Sequence, residues 1–374
     1  MVAAGCMSIV RVANHAGVST ATVSRVLNNM PGVRAETIRQ VRAAVEALNY
    51  EPGQLRRIRR NGAASTTARP RRRTNAIAII TVGQSRHWLQ LPVMAASVAG
   101  ISRGARELGY RLLLEEALDV EQPLPAALGR QVDGAIVFLS SVLVGPAFYA
   151  ALNAIARQIP AVWVMGGGPG GVAVDHVAPH NHAVGHLAFE YLKSRGCRDV
   201  AFLSKLPAWP VMRDRGQAFC SAAHDHAISC GTFLLSDDAR DGALFGAGAI
   251  VEADLSTLVD RLVESKPRPT GLFVSADETT VNVYPLLRRA GLRPGEDIHI
   301  VSCDNEQIRL AGLSPRPASI DTGAEEIGWR AVHRLMSRME NPAEPPVLIN
   351  VAPRLVQGQV GTSNAGDDEA PPSD

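Results

Sequence analysis

The chain has 374 residues, of which 46% are hydrophobic, and this length and composition favour two or three folded domains with large buried cores. No apolar run reaches 18 residues and no basic segment followed by an apolar one opens the chain, so we expect neither a membrane-spanning helix nor a secretory signal, and a cytoplasmic location. The net charge is +2, and the five cysteines lack CxxC spacing, which favours reduced thiols over a metal or disulfide framework.

The small net charge conceals an asymmetry along the chain. Residues 1–75 contain thirteen arginines, no lysine and only three acidic residues, so the remainder is net acidic. A basic head on an acidic body favours a polyanionic partner for the head alone, and counterion release would make that binding depend strongly on salt. Either Met1 or Met7 is the start residue.

Residues 8–52 predict a helix-turn-helix. A first helix turns its apolar side inward, a glycine gives the tight turn, and a serine stands at the N-cap of a second helix with one apolar face. This pattern rests on Val12, Ala13, Gly17, Ser19, Val23, Val26 and Leu27. Residues 36–48 predict a third helix, which ends before Pro52. A second helix with an apolar back and a short polar front fits the DNA major groove; an ordinary surface hairpin is the alternative.

This head resembles the N-terminal domain of the LacI/GalR family of bacterial transcription repressors. The resemblance implies that Arg25 contacts either a guanine edge or a phosphate, that Thr20 and Ala21 take part in operator choice, and that hydroxyl and amide side chains bind phosphates. The head positions to which it assigns DNA contacts are Ser8, Ser19, Thr20, Ala21, Thr22, Ser24, Arg25 and Asn28.

Residues 53–75 are basic and punctuated by glycine and proline, which predicts a hinge or linker. Family members carry a short helix here with a leucine that wedges into the minor groove. In this chain Arg57 matches the family arginine and Arg56 replaces an alanine. Either Leu55 or Ile58 acts as the wedge, or the arginines clamp phosphates instead.

Residues 76–360 alternate buried strands with helical patterns, which predicts an α/β core with doubly wound parallel sheets. The pattern includes a helix at 93–108. The predicted strands are 76–82, 110–116, 133–140, 161–165, 199–204, 271–276 and 298–304. The acidic composition of the tail 361–374 predicts disorder. The tail contains no heptad repeat, so we expect no tetramerisation helix there.

The core resembles the periplasmic-binding-protein-like regulatory domain of the same family. The matching pieces are VDGAIV, IPAVWV, RDRGQAF, RPTGLFVSADE, EDIHIVSCDNE and PRPASID. The resemblance implies an N-subdomain of residues 76–173 with about 319–346. It implies a C-subdomain of residues 177–317 with about 347–360. A small effector would bind between them at the carboxyl ends of strands.

Four residues are the effector-binding candidates. Arg215 matches an arginine of the family motif RxxGF, although Ala218 replaces its glycine, and Asp304 matches an acidic effector contact. A guanidinium and a carboxylate at one cleft would bind pairs of sugar hydroxyls. Asp277 follows an alanine where relatives carry asparagine, and Trp88 would stack on a sugar ring or make a surface contact. The alternative is that Arg215 and Asp304 only brace the subdomain by a salt bridge.

Other chemistries find little support in the chain. No P-loop, GxSxG, HExxH or CxxC motif is present, so we expect no catalytic residues and no cofactor. His176, His180, His182 and His186 lack well-spaced acidic or cysteine partners, which disfavours a metal site. An enzyme on a doubly wound sheet remains one rival. A transporter's solute-binding protein is another, but it would carry a signal peptide and no basic head.

We therefore predict a homodimeric, ligand-controlled repressor that binds a near-palindromic DNA operator and responds to a sugar or sugar derivative. Ligand closure of the cleft would alter the hinge geometry, so that DNA and ligand affinities are reciprocally coupled. The sequence leaves open whether the ligand acts as inducer or corepressor.

Overall fold

The structure, a computed structural model, describes residues 9–27, 33–48, 73–82, 91–117, 128–139, 146–166, 174–207, 209–235 and 250–359. The chain divides into two compact units, Met1–Arg72 and Arg73–Asp374. Several predictions lie outside the described residues. These concern Ser8, Asn28, Arg56, Arg57, Trp88, most of the linker and the tail 361–374.

The first unit contains the predicted helix-turn-helix. Its helices are α1 (Ile9–Ala16), α2 (Thr20–Leu27) and α3 (Ala35–Ala47). Gly17 in the turn has φ +65°, a left-handed conformation that only glycine adopts without strain. Val12, Val23 and Val41 are fully buried, one from each helix, so the apolar faces predicted from the sequence form the small core.

The second unit consists of alternating strands and helices. The strands are β1 (Ala76–Val82), β2 (Arg111–Ala117), β3 (Gly134–Leu139), β4 (Ala161–Val164), β5 (Asp175–Pro179), β6 (Asp199–Ser204), β7 (Ser229–Leu234), β8 (Gly271–Val274), β9 (His299–Cys303), β10 (Ala318–Asp321), β11 (Leu348–Val351) and β12 (Arg354–Val356). The helices are α4 (Pro92–Glu107), α5 (Leu128–Gln131), α6 (Pro146–Gln158), α7 (Asn181–Ser194), α8 (Pro210–Asp225), α9 (Ile250–Glu264), α10 (Asp277–Arg289), α11 (Gln307–Leu310) and α12 (Ala324–Glu340).

Two six-stranded sheets organise this unit. The first has the order β11-β5-β4-β3-β1-β2 and the second the order β12-β10-β9-β8-β6-β7. Within the described part of the chain, all strand pairs are parallel except β10 with β12, which are antiparallel. Hydrophobic clusters lie on both faces of each sheet, which explains why the central strands β1, β3, β4 and β8 are apolar almost throughout rather than alternating. The predicted α/β fold class is confirmed.

The predicted subdomain limits need correction at each crossing between the sheets. The limits assigned β5 and β11 to the C-subdomain and most of β10 to the N-subdomain. The sheet order places β5 and β11 in the first sheet and β10 in the second, so each predicted crossing falls one strand early. These strands are four or five residues long, and only their pairing partners decide their sheet, which a local sequence pattern does not encode.

Among the described residues, no helix is long and apolar enough to span a membrane.

Candidate functional site

The DNA-contact candidates that the structure describes lie at the turn and on α2. The Thr22 backbone N–H donates to Ser19 Oγ at 3.1 Å, so Ser19 is the predicted N-cap. Thr20 and Arg25 are exposed, and Thr22 is half-buried beside Ser19. Ala21 and Ser24 also lie on α2. The helix therefore exposes an arginine and a threonine while its two valines are buried.

The two strongest effector candidates, 89 residues apart in sequence, are in direct contact. Arg215 Nη2 donates to Asp304 Oδ1 at 3.0 Å. The same guanidinium donates from Nε to Asn181 Oδ1 at 3.1 Å and from Nη1 to the Ser275 carbonyl at 2.8 Å. Although burial opposes the charged form, the negative charge of Asp304 raises the pKa of Arg215 above its ordinary value. Arg215 is thus a fixed, buried cation.

Close helix packing holds Arg215 in place. Gly185 on α7 faces α8, and a Cβ atom at Gly185 would lie 2.4 Å from the Arg215 carbonyl oxygen. Any larger residue at this position would push α8, and the guanidinium with it, away from α7. Asn181, one of the Arg215 partners, begins the same helix α7.

Asp304 occupies an unusual backbone conformation at the carboxyl end of β9. Its φ is +99° and that of Asn305 is +54°, in the region that favours glycine. The Asp304 N–H donates to the Ile320 carbonyl at 2.8 Å, which fixes the turn. Strained non-glycine backbone of this kind is concentrated at functional sites. The Asp304 side chain retains 11% exposure, against 3% for Arg215.

Asp277 was predicted to contact the effector, but its carboxylate bonds to the protein instead. It is fully buried, and its carboxylate accepts the Glu306 N–H at 2.6 Å and the Ser319 hydroxyl at 2.9 Å. The carboxylate therefore braces the turn that carries Asp304. Burial, and then the negative charge of Asp304, raise the pKa of Asp277 to about 7.

Glu306, which sequence reasoning did not single out, connects the two halves of the core. Its Oε1 accepts the Val93 N–H at 3.3 Å, at the start of α4 beside the first sheet. Its Oε2 lies 2.5 Å from Arg309 Nε in an ion pair. Burial, followed by the charge of Asp304, raises the pKa of Glu306 to about 7. The start of α4 and the turn after β9 thus meet between the sheets.

Asn181 and Glu306 are the site residues that the sequence analysis missed. Glu306 stood within the recognised segment CDNE, beside Asp304, but a second acid two residues away is ordinary on a surface loop. No sequence pattern pointed to Asn181, because its hydrogen bond with Arg215 depends on the packing of α7 against α8.

Two of the four histidines considered for metal binding make other contacts. His176 stacks on Trp163 with ring centroids 3.9 Å apart, and burial lowers its pKa to about 4. His180 Nδ1 accepts the Ala183 N–H and caps α7. No group of three potential ligands that could hold a metal ion occurs in the described ranges.

Two family models match the chain. The model for bacterial regulatory proteins of the lacI family matches residues 8–53, and the model for the periplasmic binding protein-like domain matches residues 189–359. The chain is also 27% identical over 352 residues to the HTH-type transcriptional repressor PurR of Photorhabdus laumondii, covering 92% of this chain and 94% of that protein.

Solved structures share the fold. A transcriptional regulator CelR–cellobiose complex has a TM-score of 0.62 at 22% identity, covering 95% of this chain and 100% of that one. The lac repressor dimer bound to operator and the anti-inducer ONPF has a TM-score of 0.59 at 22% identity, covering 95% and 98%. At this identity the likeness concerns the architecture.

Proposed function

The chain belongs to the LacI family of DNA-binding transcriptional regulators, and from that premise we propose that it is a cytoplasmic, homodimeric repressor that a small polyhydroxylated effector controls. The effector class that we propose is a sugar or sugar derivative. Two copies of α2 would read the halves of a near-palindromic operator, and the effector would bind at the Arg215–Asp304 pair.

The observation that carries the effector proposal is the chemistry of that pair. Arg215 offers a rigid array of donors and Asp304 offers acceptor oxygens, and they lie 3.0 Å apart at the carboxyl ends of parallel strands. Adjacent sugar hydroxyls both donate and accept, so they can bridge a guanidinium and a carboxylate together. The cellobiose complex of a protein with the same fold is consistent with this class of ligand.

The environment of the pair argues against a purely bracing role. Asp277 and Glu306 approach Asp304, and both have raised pKa values, so negative charge is in excess around one buried arginine. A salt bridge selected for stability alone would be expected to have balanced charge. Ligand hydroxyl groups that donate to the surplus carboxylate oxygens would relieve this repulsion in the closed cleft.

We assign Asp277 a positioning role instead of a direct contact. Its hydrogen bond to the Glu306 N–H fixes the turn after β9, and Glu306 in turn reaches Val93 beside the other sheet. An effector that draws Asp304 toward itself would act on this chain of contacts. The relative position of the two sheets, and with it the geometry of the dimer, would then change.

Arg25 is the residue that we propose for specific contact with DNA. It is exposed on α2, while the two buried valines of the same helix pack into the head. A guanidinium in the major groove can donate two hydrogen bonds to guanine O6 and N7. Thr20 lies on the same helix, and the capped start of α2 presents backbone N–H groups suited to phosphate.

The test combines a ligand screen with operator binding. A thermal-shift screen of sugars, sugar acids and nucleosides on the full chain identifies the effector, and fluorescence anisotropy with DNA from upstream of its own gene measures operator affinity. We expect a sugar to raise the unfolding temperature and to change operator affinity at least fivefold. The sign of that change distinguishes inducer from corepressor.

Two results would contradict the proposal. Binding to the upstream DNA no tighter than to a scrambled duplex of equal length would refute operator recognition. A specific operator complex that responds only to nucleosides would leave the repressor assignment intact and refute the sugar assignment.

A further inference from the structure

Two cysteine side chains meet between a helix and a strand of the second sheet. Cys220 lies on α8 and Cys230 on β7, an outer strand of the second sheet as described. The Cys230 thiol donates to Cys220 Sγ, and the two sulfur atoms are 2.8 Å apart. A disulfide bond is about 2.05 Å long, so a relative shift of about 0.8 Å would bring the sulfurs to bonding distance.

The backbone between the two residues is a tight, hydrogen-bonded turn. The Ile228 N–H donates to the Ala223 carbonyl at 2.9 Å, and the Ala227 N–H donates to the His224 carbonyl at 2.9 Å. This turn fixes the end of α8 against the start of β7. The approach of the two thiols is therefore a property of the local fold and does not depend on one long, freely moving side chain.

The pair differs from the other cysteines that the structure describes. Cys197 and Cys303 are buried, and burial raises the pKa of both thiols, which keeps them protonated and unreactive. Cys220 and Cys230 are only half-buried. The hydrogen bond from Cys230 stabilises the Cys220 thiolate and lowers its pKa, so one member of the pair is the better nucleophile.

We infer that Cys220 and Cys230 form a redox-modification site that closes to an intramolecular disulfide on exposure to hydrogen peroxide. The Cys220 thiolate attacks one peroxide oxygen, the O–O bond breaks, and a sulfenic acid and hydroxide form. The Cys230 sulfur then displaces the sulfenic hydroxyl as water, and its own proton is released with that water. The two thiols lose two electrons, hydrogen peroxide gains them, and the net products are one disulfide and two waters.

The bond would crosslink α8 to β7 within one subdomain. Cys220 follows Arg215 by five residues, about one and a half turns of the same helix. Oxidation would therefore tether the helix that carries the effector-binding arginine. The inference itself does not depend on the proposed effector, because it rests on the two thiols alone.

Peptide mapping of the full-length wild-type protein tests this directly. Trypsin cleaves after Arg215 and Arg240, and the peptide 216–240 contains both cysteines and no others. The protein is treated with hydrogen peroxide, quenched with catalase, denatured, alkylated with iodoacetamide and digested. We expect the untreated peptide to carry two alkyl groups. The oxidised peptide should carry no alkyl group and should be lighter than the reduced, unalkylated peptide by two hydrogen atoms. Reduction with dithiothreitol followed by iodoacetamide should then add two alkyl groups.

Variants separate the pair from the remaining thiols. Cys6→Ser should leave the oxidised peptide unchanged, whereas Cys230→Ser should leave a Cys220 sulfenic acid that dimedone captures. The wild-type experiment decides the inference even where a variant folds poorly. Two alkyl groups on peptide 216–240 after peroxide, a Cys220 sulfinic acid with Cys230 still alkylated, or a disulfide from either residue to another cysteine would each overturn it.

Discussion

The core contains two buried arginine–carboxylate clusters, at opposite ends of its strands. At the amino end of β5, Asp175 is fully buried between two arginines of α12. Arg338 Nε donates to its Oδ2 at 2.6 Å, and Arg334 Nε lies 3.0 Å from its Oδ1. The Val347 N–H donates to Oδ1 at 2.8 Å. At the carboxyl ends of the second sheet, Arg215 is instead surrounded by an excess of acids.

The titration behaviour of the two clusters differs accordingly. Burial opposes ionisation of Asp175, but hydrogen bonds from Arg338, Val347 and Arg334 lower its pKa below the ordinary value. Burial and the charge of Asp304 raise the pKa of Asp277 and Glu306 to about 7. The first cluster pairs one buried carboxylate with two arginines and stabilises the fold. The second retains unfavourable charge, which is typical of a site that awaits a ligand.

The largest expected effect follows from breaking the satisfied cluster. Asp175→Asn would leave Arg334 and Arg338, both half-buried, without their buried counter-ion, which costs about 3–5 kcal/mol in the free energy of unfolding. Thermal denaturation should show a Tm lower by roughly 10 °C. Glu344→Gln, which removes an exposed partner of Arg334 at 3.6 Å, is the matched control and should change stability by less than about 0.5 kcal/mol. Equal stability of the two variants would show that Asp175 does not stabilise the fold.

Breaking the second cluster should affect binding more than stability. Arg215→Lys keeps the charge but loses the planar array of donors, so we expect effector affinity to fall by about 2–3 kcal/mol, on the order of 100-fold. Isothermal titration calorimetry measures the loss, and operator binding without effector should be unchanged. Arg293→Lys, at an exposed ion pair in the same half of the core, is the control. Unaltered effector affinity in Arg215→Lys would mean that the arginine only braces the fold.

The head offers a third, smaller effect. Arg25→Ala should weaken operator binding by about 1–3 kcal/mol and relax sequence preference at one base pair in each half-site. Anisotropy titrations against single-base operator variants measure both changes. If Arg25 contacts phosphate instead, affinity falls equally for all duplexes and the slope of log K against log salt becomes shallower. Arg293→Ala, which removes the same charge outside the head, should alter neither quantity.

The smallest expected effect concerns pH. Because the folded pKa of Glu306 is raised from 4.5 to about 7, the folded state binds its proton more tightly than the unfolded chain. This group therefore lowers stability as the pH rises from about 4.5 to 7, and the penalty is complete above pH 7. Glu306→Gln keeps an acceptor for the Val93 N–H and removes the penalty.

Urea denaturation across this pH range tests the expectation. We expect Glu306→Gln to gain on the order of 1–2 kcal/mol relative to wild type at pH 8, and little at pH 4.5. Glu296→Gln, at an exposed acid of the same half, is the control. A gain that is constant with pH would show that ionisation of Glu306 is not its cause.

Patterns that local geometry dictates were predictable from the sequence. The apolar spacing of Val12, Val23 and Val41 predicted the core of the head, and Ser19 was the expected N-cap. The seven predicted strands coincide with β1 to β4, β6, β8 and β9 within about two residues. Except for the edge strand β2, each is a buried run bounded by turn residues, so its local signal agrees with its tertiary environment.

Features that depend on tertiary pairing were not predictable in this way. The crossing strands β5, β10 and β11 are short, and their sheet is decided by their partners. Asp277 was assigned to the cleft by its motif position, but its carboxylate turns to Glu306 and Ser319. The Cys220–Cys230 contact also arises only when α8 and β7 fold back on each other.

The most direct test of the division between the two clusters is to measure Tm and effector Kd together for Asp175→Asn and Arg215→Lys, with the sugar that gives the largest thermal shift. We expect opposite effects in the two variants. Asp175→Asn should lower Tm by roughly 10 °C and keep Kd within about threefold, whereas Arg215→Lys should keep Tm within about 3 °C and raise Kd on the order of 100-fold. Parallel losses of Tm and affinity in both variants, or full affinity in Arg215→Lys, would contradict the assignment of structure to one cluster and ligand binding to the other.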